Sequence, residues 1–384
     1  MIKSVRLVNF FSFGDCTIDL ESDLNVLVGI NGSGKSNFLR AFQLLKAGMD
    51  GKLKEQIVKW GGLDSMKFKK KVDKDDFFEL DLYFTIDGSR LSRWPDGYKG
   101  DIIYHITLMN VFGAYVVGEL VTSINGVIYL NSFPGKEGAA DYSVVRKNST
   151  DELMLPGFNF GQGDNALAIL AHYLRLTDIY KAFNTTEDAP MRNSVRATGV
   201  DKLLPNGDNM FQILNTTGLK STTAYDTIEA GLQDVNSNFQ RFRMNVYGQG
   251  SVEFYLQEKG LETPIHAAQV SDGTLCYLCL LVALYQPDKG ELILFDEPER
   301  NLHPDMLFEL GRQLEKASEK SQIILTTHVP GLVNQFPLRA VRVFEKDENN
   351  QTIVNKFTEE DFAGWYDEFA PGQMWRDGAL GGNR

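Results

Sequence analysis

Cysteine is scarce. The 384 residues hold three, Cys16, Cys276 and Cys279, too few for a disulfide framework. Cys276 and Cys279 spell C-x-x-C, but they sit inside the apolar, helix-like run of residues 274–285 with no second ligand pair nearby, which describes core thiols rather than a zinc or dithiol centre. Long apolar runs are missing as well. None approaches the roughly 20 residues of a membrane-spanning helix, and the first residues lack the charged-then-apolar order of a secretory signal. The expected setting is therefore the cytoplasm, with no membrane partner. No heptad pattern is sustained, which excludes a coiled-coil arm, and there is no internal repeat or low-complexity tract. Positive charge is in the minority, 39 Lys and Arg against 51 Asp and Glu for a net −12, so the surface is not a basic coat for nucleic acid. One local exception gathers Lys52, Lys54, Lys59, Lys67, Lys69, Lys70, Lys71 and Lys74 before Asp73, Asp75 and Asp76 interrupt it. It reads as a solvated loop face.

What is present is organised around Gly29-Ile30-Asn31-Gly32-Ser33-Gly34-Lys35-Ser36. This fits G-x-x-x-x-G-K-[ST], with an apolar strand at residues 24–28 before it and a helical stretch opening at Asn37 after it. Gly32 and Gly34 let backbone N–H groups close around phosphate oxygens, and the helix adds the positive end of its dipole. Lys35 is placed to reach the β- and γ-phosphates of ATP, and Ser36 to offer a hydroxyl to Mg²⁺, a cation that takes hard oxygen ligands. Gly29, Asn31, Ser33 and Asn37 complete the set of expected nucleotide contacts.

A second acidic motif answers the first. Residues 292–295 form an apolar strand-like run ending in Asp296-Glu297-Pro298, where a Walker B motif would stand. Asp296 is the expected metal-shell residue, and Glu297 is placed to accept a proton from an attacking water. Phosphoryl transfer needs a phosphate cradle, a metal and a water-positioning group together. The two ends of the chain must then fold as one ATPase core with a long insertion.

Between them the pattern changes twice. Residues 4–8 and 17–20 read as a strand pair around Phe10-Phe11-Ser12-Phe13-Gly14, with at least two of the three phenylalanines in the core. From about 77 to 148, alternating β-branched and aromatic runs with the hairpin signal Asn125-Gly126 predict an antiparallel β lobe. Residues 165–183 take a helical period, a further helix begins near Met210, residues 227–242 read as helical, and 243–247 and 251–256 as strands.

Val270-Ser271-Asp272-Gly273-Thr274 stands before an apolar helix and resembles the signature motif of ABC-type ATPases, in which the serine and the helix N-terminus touch the γ-phosphate held by a partner subunit. Thr326-Thr327-His328 follows an apolar strand-like run, and His328 matches the switch histidine of the same enzymes. With Phe295-Asp296-Glu297-Pro298-Glu299 and Leu302-His303-Pro304 in the expected order, the chain resembles the RecF/SMC-like branch of ABC ATPases, and within it the compact RecF/OLD-type ATPases. Asn9-Phe10-x-Ser12-Phe13 and Gly378-x-Leu380-Gly381-Gly382 extend the likeness over nearly the whole chain. The resemblance implies Glu297, His328 and Lys35 as catalytic residues. It assigns Ser271, Asp272 and Gly273 to the partner's nucleotide, Ser36 and Asp296 to the metal, and residues 300–303 to the D-loop. Phe11 stands where many relatives carry a basic residue, and Gln56 and Gln162 are weak matches for a Q-loop glutamine.

The expected fold is α/β, a P-loop NTPase with an ABC-type ATPase head: a mixed β core from residues 1–50 and 265–345, the antiparallel lobe, a helical signature lobe at about 160–265 and a tail at 346–384, all in one head. The expected function is an ATP-dependent homodimeric switch or clamp, and the resemblance implies a setting in anti-phage defence or DNA maintenance. About 40 residues follow Phe344, against a usual domain minimum of roughly 50, so a nuclease of the TOPRIM type is expected on a separate effector chain; nucleic acid stays open as a partner. Two other classes compete: an ATPase subunit of a transporter, and a small-molecule kinase, which would need neither signature nor switch histidine.

Overall fold

A computed structural model describes residues 1–69, 78–91, 99–111, 114–133, 151–160, 165–193, 195–196, 201–247, 251–362 and 369–382. Lys70, Lys71, Lys74 and Gln162 lie outside them, as do Trp365 and Tyr366, tail aromatics that the sequence offers for partner contact. In chain order the elements are β1 (Ile2–Phe10), β2 (Phe13–Asp19), β3 (Leu24–Val28), α1 (Lys35–Met49), α2 (Leu53–Lys59), α3 (Leu63–Met66), β4 (Phe78–Asp87), β5 (Asp101–Val111), β6 (Ala114–Ser123) and β7 (Ile128–Asn131). They continue with α4 (Asn165–Arg175), β8 (Thr177–Tyr180), β9 (Val195–Arg196), α5 (Met210–Lys220), α6 (Thr222–Val235), β10 (Phe239–Tyr247), β11 (Ser251–Glu258) and β12 (Ile265–His266). The last are α7 (Asp272–Tyr285), β13 (Leu292–Asp296), α8 (Met306–Ser318), β14 (Gln322–Thr326), α9 (Pro330–Val333), β15 (Val341–Lys346), β16 (Thr352–Lys356) and α10 (Pro371–Arg376).

The chain forms two compact units. The first takes Met1–Thr177, Arg342–Phe357 and Leu380–Arg384; the second takes Asp178–Val341 and Thr358–Ala379. In the first, the strand order β2-β1-β4-β5-β6-β7 makes an antiparallel sheet. Alternation fixes its register: Phe78, Leu80, Leu82, Phe84 and Ile86 of β4 are buried, and Leu82 and Phe84 lie opposite Ile106 and Tyr104 of β5. Its buried carboxylate, Glu119, accepts hydrogen bonds from the Tyr104 hydroxyl at 2.6 Å and the Leu155 amide at 3.2 Å, which offset the cost of removing it from water. At the predicted hairpin turn Gly126 has φ +88. The same unit places β15 between β16 and β3.

In the second unit β13 lies between β14 and β8, with β13 and β14 parallel and almost wholly buried, as apolar runs ending in polar residues require. A smaller antiparallel sheet runs β10-β11-β12, with β9 also on β11. Two helical expectations are corrected here. The helix over 165–183 stops at Arg175, where the Thr177 hydroxyl takes the Leu174 carbonyl, and the chain continues as β8 with Tyr180 buried on Phe295. The helix over 227–242 stops at Val235. Residues 239–242 join β10 because pairing with β11 and burial of Phe239 and Phe242 outweigh a helical period.

Candidate functional site

The first unit carries the phosphate-loop residues. β3 is buried at all five positions, and residues 29–34 then turn through Gly29, Gly32 and Gly34 at φ +147, +83 and +116, where an L side chain is strained. Two of these positions also exclude a side chain by contact: a Cβ on Gly29 would stand 2.4 Å from the Phe344 carbonyl oxygen, and one on Gly34 2.3 Å from Thr352 Oγ1. α1 begins immediately. Lys35 is buried, and its Nζ donates to the Gly29 and Ile30 carbonyls at 2.6 and 3.0 Å. Asn31, Gly32 and Ser36 are exposed, so the Ser36 hydroxyl is available to a hard cation. Ser33 Oγ is buried with no hydrogen-bond partner among the described residues. Cradle, ammonium and free hydroxyl together suit a Mg²⁺-bound polyphosphate.

Around this loop is a network that sequence reading missed. Thr352 Oγ1 lies 2.8 Å from both the Ser33 carbonyl and Ser12 Oγ, and Asn37 Nδ2 donates to Ser12 Oγ at 2.9 Å. Of the turn phenylalanines, Phe10 and Phe13 are fully buried. Phe11 is half-exposed at φ +49, with the Arg40 guanidinium 4.5 Å from its ring centre. Phe11, Asn37, Arg40, Lys67, Lys69 and Lys346 help line a cleft of about 250 Å³. Lys67 and Lys69, part of the lysine cluster, thus face a cleft rather than only solvent.

The second unit gathers Asp296, Glu297 and His328. Asp296 closes β13, and its Oδ1 accepts from the Thr326 hydroxyl at 2.8 Å. Glu297 follows at φ +55, a conformation that costs energy in a non-glycine residue. Its amide is held by the Thr326 carbonyl at 3.1 Å and lies 3.0 Å from Thr326 Oγ1. Its carboxylate is engaged on both sides: Oε2 by Arg300 and Oε1 by His328 Nδ1 at 3.2 Å. Beneath them Thr327 Oγ1 donates to Glu299 Oε1 at 2.6 Å. Burial pushes the Glu299 carboxyl above the ordinary range, against that hydrogen bond, which pulls it down.

The signature-like residues are built by a cap and a clamp. Ser271 caps α7, its Oγ accepting from the Thr274 amide at 3.2 Å. Gly273 lies close to the backbone of residue 301, since a Cβ there would stand 3.2 Å from the Asn301 carbonyl oxygen. Arg192, only 5% exposed, donates to the Thr185 and Val270 carbonyls at 2.8 and 2.7 Å and pairs with Asp272. No spacing in the sequence links it to residues 270–272; an arginine in an otherwise apolar-polar loop was the only signal. Cys276 and Cys279 are buried in α7, as the core reading expects. Gln56 sits on α2. Trp375, the third tail aromatic offered for partner contact, is 6% exposed.

Known proteins resemble this chain in sequence and in fold. A family model described as "AAA domain, putative AbiEii toxin, Type IV TA system" matches residues 141–334, half of the chain, and one described as "AAA ATPase domain" matches residues 1–99. Endonuclease GajA of Bacillus cereus (strain VD045) is 24% identical over 371 residues, covering 90% of this chain and 58% of that protein. The chain therefore spans just over half the length of this relative. Two solved structures share the fold. An Smc head bound to the C-terminal winged-helix domain of ScpA has a TM-score of 0.61 at 14% identity, covering 94% of this chain and 99% of the other. An Smc head with an extended coiled coil, bound to the C-terminal domain of ScpA derived from Pyrococcus furiosus, has 0.58 at 12%, covering 96% and 98%.

Proposed function

The chain belongs to this AAA-domain family and is an SMC/RecF-like member of the ABC ATPase superfamily, and on that footing we propose that it binds Mg²⁺-ATP and hydrolyses it as a homodimeric switch. The observation that carries the reading is the glycine loop: two glycines barred to any side chain, opening onto a 15-residue helix that begins with Lys35 and Ser36. The amides of residues 32–36 bind the phosphates, Lys35 turns from its loop carbonyls to the β- and γ-oxygens, and Ser36 with Asp296 would hold Mg²⁺. The ion supplies charge neutralisation for the phosphates. Glu297 takes the proton of the attacking water, and His328 orients it. The cleft beside Asn37 receives the nucleoside end, with Phe11 and Arg40 as its stacking surface.

Ser271, Asp272 and Gly273 serve the nucleotide of the partner copy. The setting we propose is anti-phage defence or DNA maintenance beside a separate effector such as a TOPRIM-type nuclease. An endonuclease among its relatives, and Smc heads that bind a second protein, support that reading. No helix among the described residues is long and apolar enough to cross a membrane.

Turnover of ATP by the purified chain, and its size with and without ATP, test the proposal. Lys35→Ala should abolish both responses, because that ammonium is the point charge the loop aims at phosphate. Mixing Lys35→Ala with Ser271→Arg subunits should restore activity from two inactive parents, since one composite site then carries neither lesion. Mixed dimers that form and stay inactive would refute shared sites, and a chain that turns over ATP without associating would favour the kinase reading.

A further inference from the structure

Gly378-x-Leu380-Gly381-Gly382 has no role in the chemistry above, yet it is among the most constrained segments of the chain. Gly378, at φ +86, closes α10: its amide donates to the Trp375 carbonyl at 3.0 Å and the Ala379 amide to the Met374 carbonyl at 2.9 Å, a glycine-terminated helix end. Leu380 is 1% exposed. Gly381 and Gly382 follow at φ +73 and +71, two consecutive left-handed residues that only glycine adopts at low cost.

This pair meets the phosphate loop within the first unit. The Gly382 carbonyl accepts from the Ile30 amide at 2.9 Å, and the Gly382 amide donates to Glu345 Oε1 at 2.6 Å. Glu345 is fixed in turn by Asn355 Nδ2 at 2.7 Å from Oε2. The neighbouring Phe344 carbonyl is the atom that forbids a side chain at Gly29. Residues 29–30, whose carbonyls hold Lys35 Nζ, are thus gripped on their N–H side by the glycine pair.

The other end of the segment is anchored within the second unit. Gly372 of α10 lies against α9, where a Cβ would stand 2.0 Å from the Pro330 carbonyl oxygen, and the Gln373 amide donates to Asn334 Oδ1 at 3.1 Å. Pro330 is two residues beyond His328.

We propose that residues 371–382 are a positioning strap: tied to α9 just past His328, they hold the Ile30 peptide so that the amides of residues 32–36 and the Lys35 ammonium are presented to nucleotide phosphate. The strap occupies the Ile30 N–H itself, fixing where the loop enters and leaving the later amides for the ligand. This rests on the reading of the chain as an ATPase.

The test is steady-state ATP turnover with equilibrium binding of a fluorescent ATP analogue. Gly381→Ala, which puts a methyl group 2.6 Å from Glu345 Oε1 at positive φ, should raise Kd and KM about three- to tenfold, the worth of one backbone hydrogen bond. Turnover at saturating ATP should stay within about twofold, since the strap touches no reacting atom. Glu345→Ala should reproduce that split. Glu345→Gln, which keeps an acceptor for Gly382, should restore wild-type KM, a rescue that a general loss of stability would not show. Asn334→Ala, which removes the acceptor of Gln373 without crowding the backbone, should also raise KM. Unchanged KM in Gly381→Ala and Glu345→Ala overturns the strap; unchanged KM in Asn334→Ala overturns its tie to α9. A wild-type chain that binds no ATP would instead count against the function on which this rests.

Discussion

The two units build their functional residues from different materials. In the first the phosphate loop is made of backbone: glycines at φ values closed to other residues, and carbonyls of residues 344 and 382 that fix the peptide path. In the second, the proposed site groups are side chains held by neighbouring side chains: Asp296 by Thr326, Glu297 by Arg300 and His328, and Asp272 by Arg192. A backbone site is pre-organised and tolerates no substitution. A side-chain site can exchange partners, so in the proposed mechanism Glu297 releases Arg300 or His328 before it meets a water. The difference suits a device whose grip is constant and whose hydrolysis is gated.

The largest effect expected from breaking this contrast is at Glu297. Glu297→Gln keeps the size and removes the base, so turnover should fall by about 10²–10⁴-fold while ATP binding survives. Asp296→Asn should weaken Mg²⁺-dependent binding and turnover together, and the opposite pattern between the two variants would reassign their roles. Next is the clamp behind the signature-like loop. Arg192→Met strands the carbonyls of Thr185 and Val270 in the interior, and urea unfolding should show a loss of about 2–4 kcal/mol; a loss below about 0.5 kcal/mol would mean that solvent reaches those carbonyls.

A smaller effect sharpens the electrostatics beneath Glu297. Burial raises the folded pKa of Glu299 above the unfolded value. Its contribution to stability is therefore fully present below the ordinary carboxylate value of 4.5 and is lost as pH rises through the raised one. Glu299→Gln keeps an acceptor for Thr327 without the charge, so its melting temperature should match wild type near pH 4 and exceed it increasingly toward pH 7. A difference that stays flat over that range would show that the carboxyl titrates normally. The smallest effect concerns the thiols. Burial pushes Cys276 up to about 12 and raises Cys279, and burial also lifts Cys16 to about 11. A thiol reagent at pH 8 should label Cys276 and Cys279 only after denaturation, and fast labelling of a C-x-x-C thiol in the native chain would contradict the buried helix.

Much was legible in the amino-acid sequence, wherever function depends on local geometry. A phosphate loop is spelled by residue type because only glycine takes its φ values and only a lysine and a hydroxyl do its chemistry; the strand before it and the helix after it are equally local. Alternation likewise revealed β4, β5 and β6, and an apolar run with two acids at its end revealed β13. The misreadings fell at residues 176–183 and 236–242, where an apolar face suited helix and strand alike and pairing with distant strands decided between them.

Order of motifs along the chain thus determined the family and the residues proposed to meet phosphate, because each motif is a short stretch with its own physical reason. Tertiary structure alone decided who holds those residues. Thr326, Thr352, Arg192 and Gly382 stand 30, 319, 80 and 352 positions from the residues they hold. Their hydrogen bonds depend on where the chain returns, and neither composition nor period encodes that return.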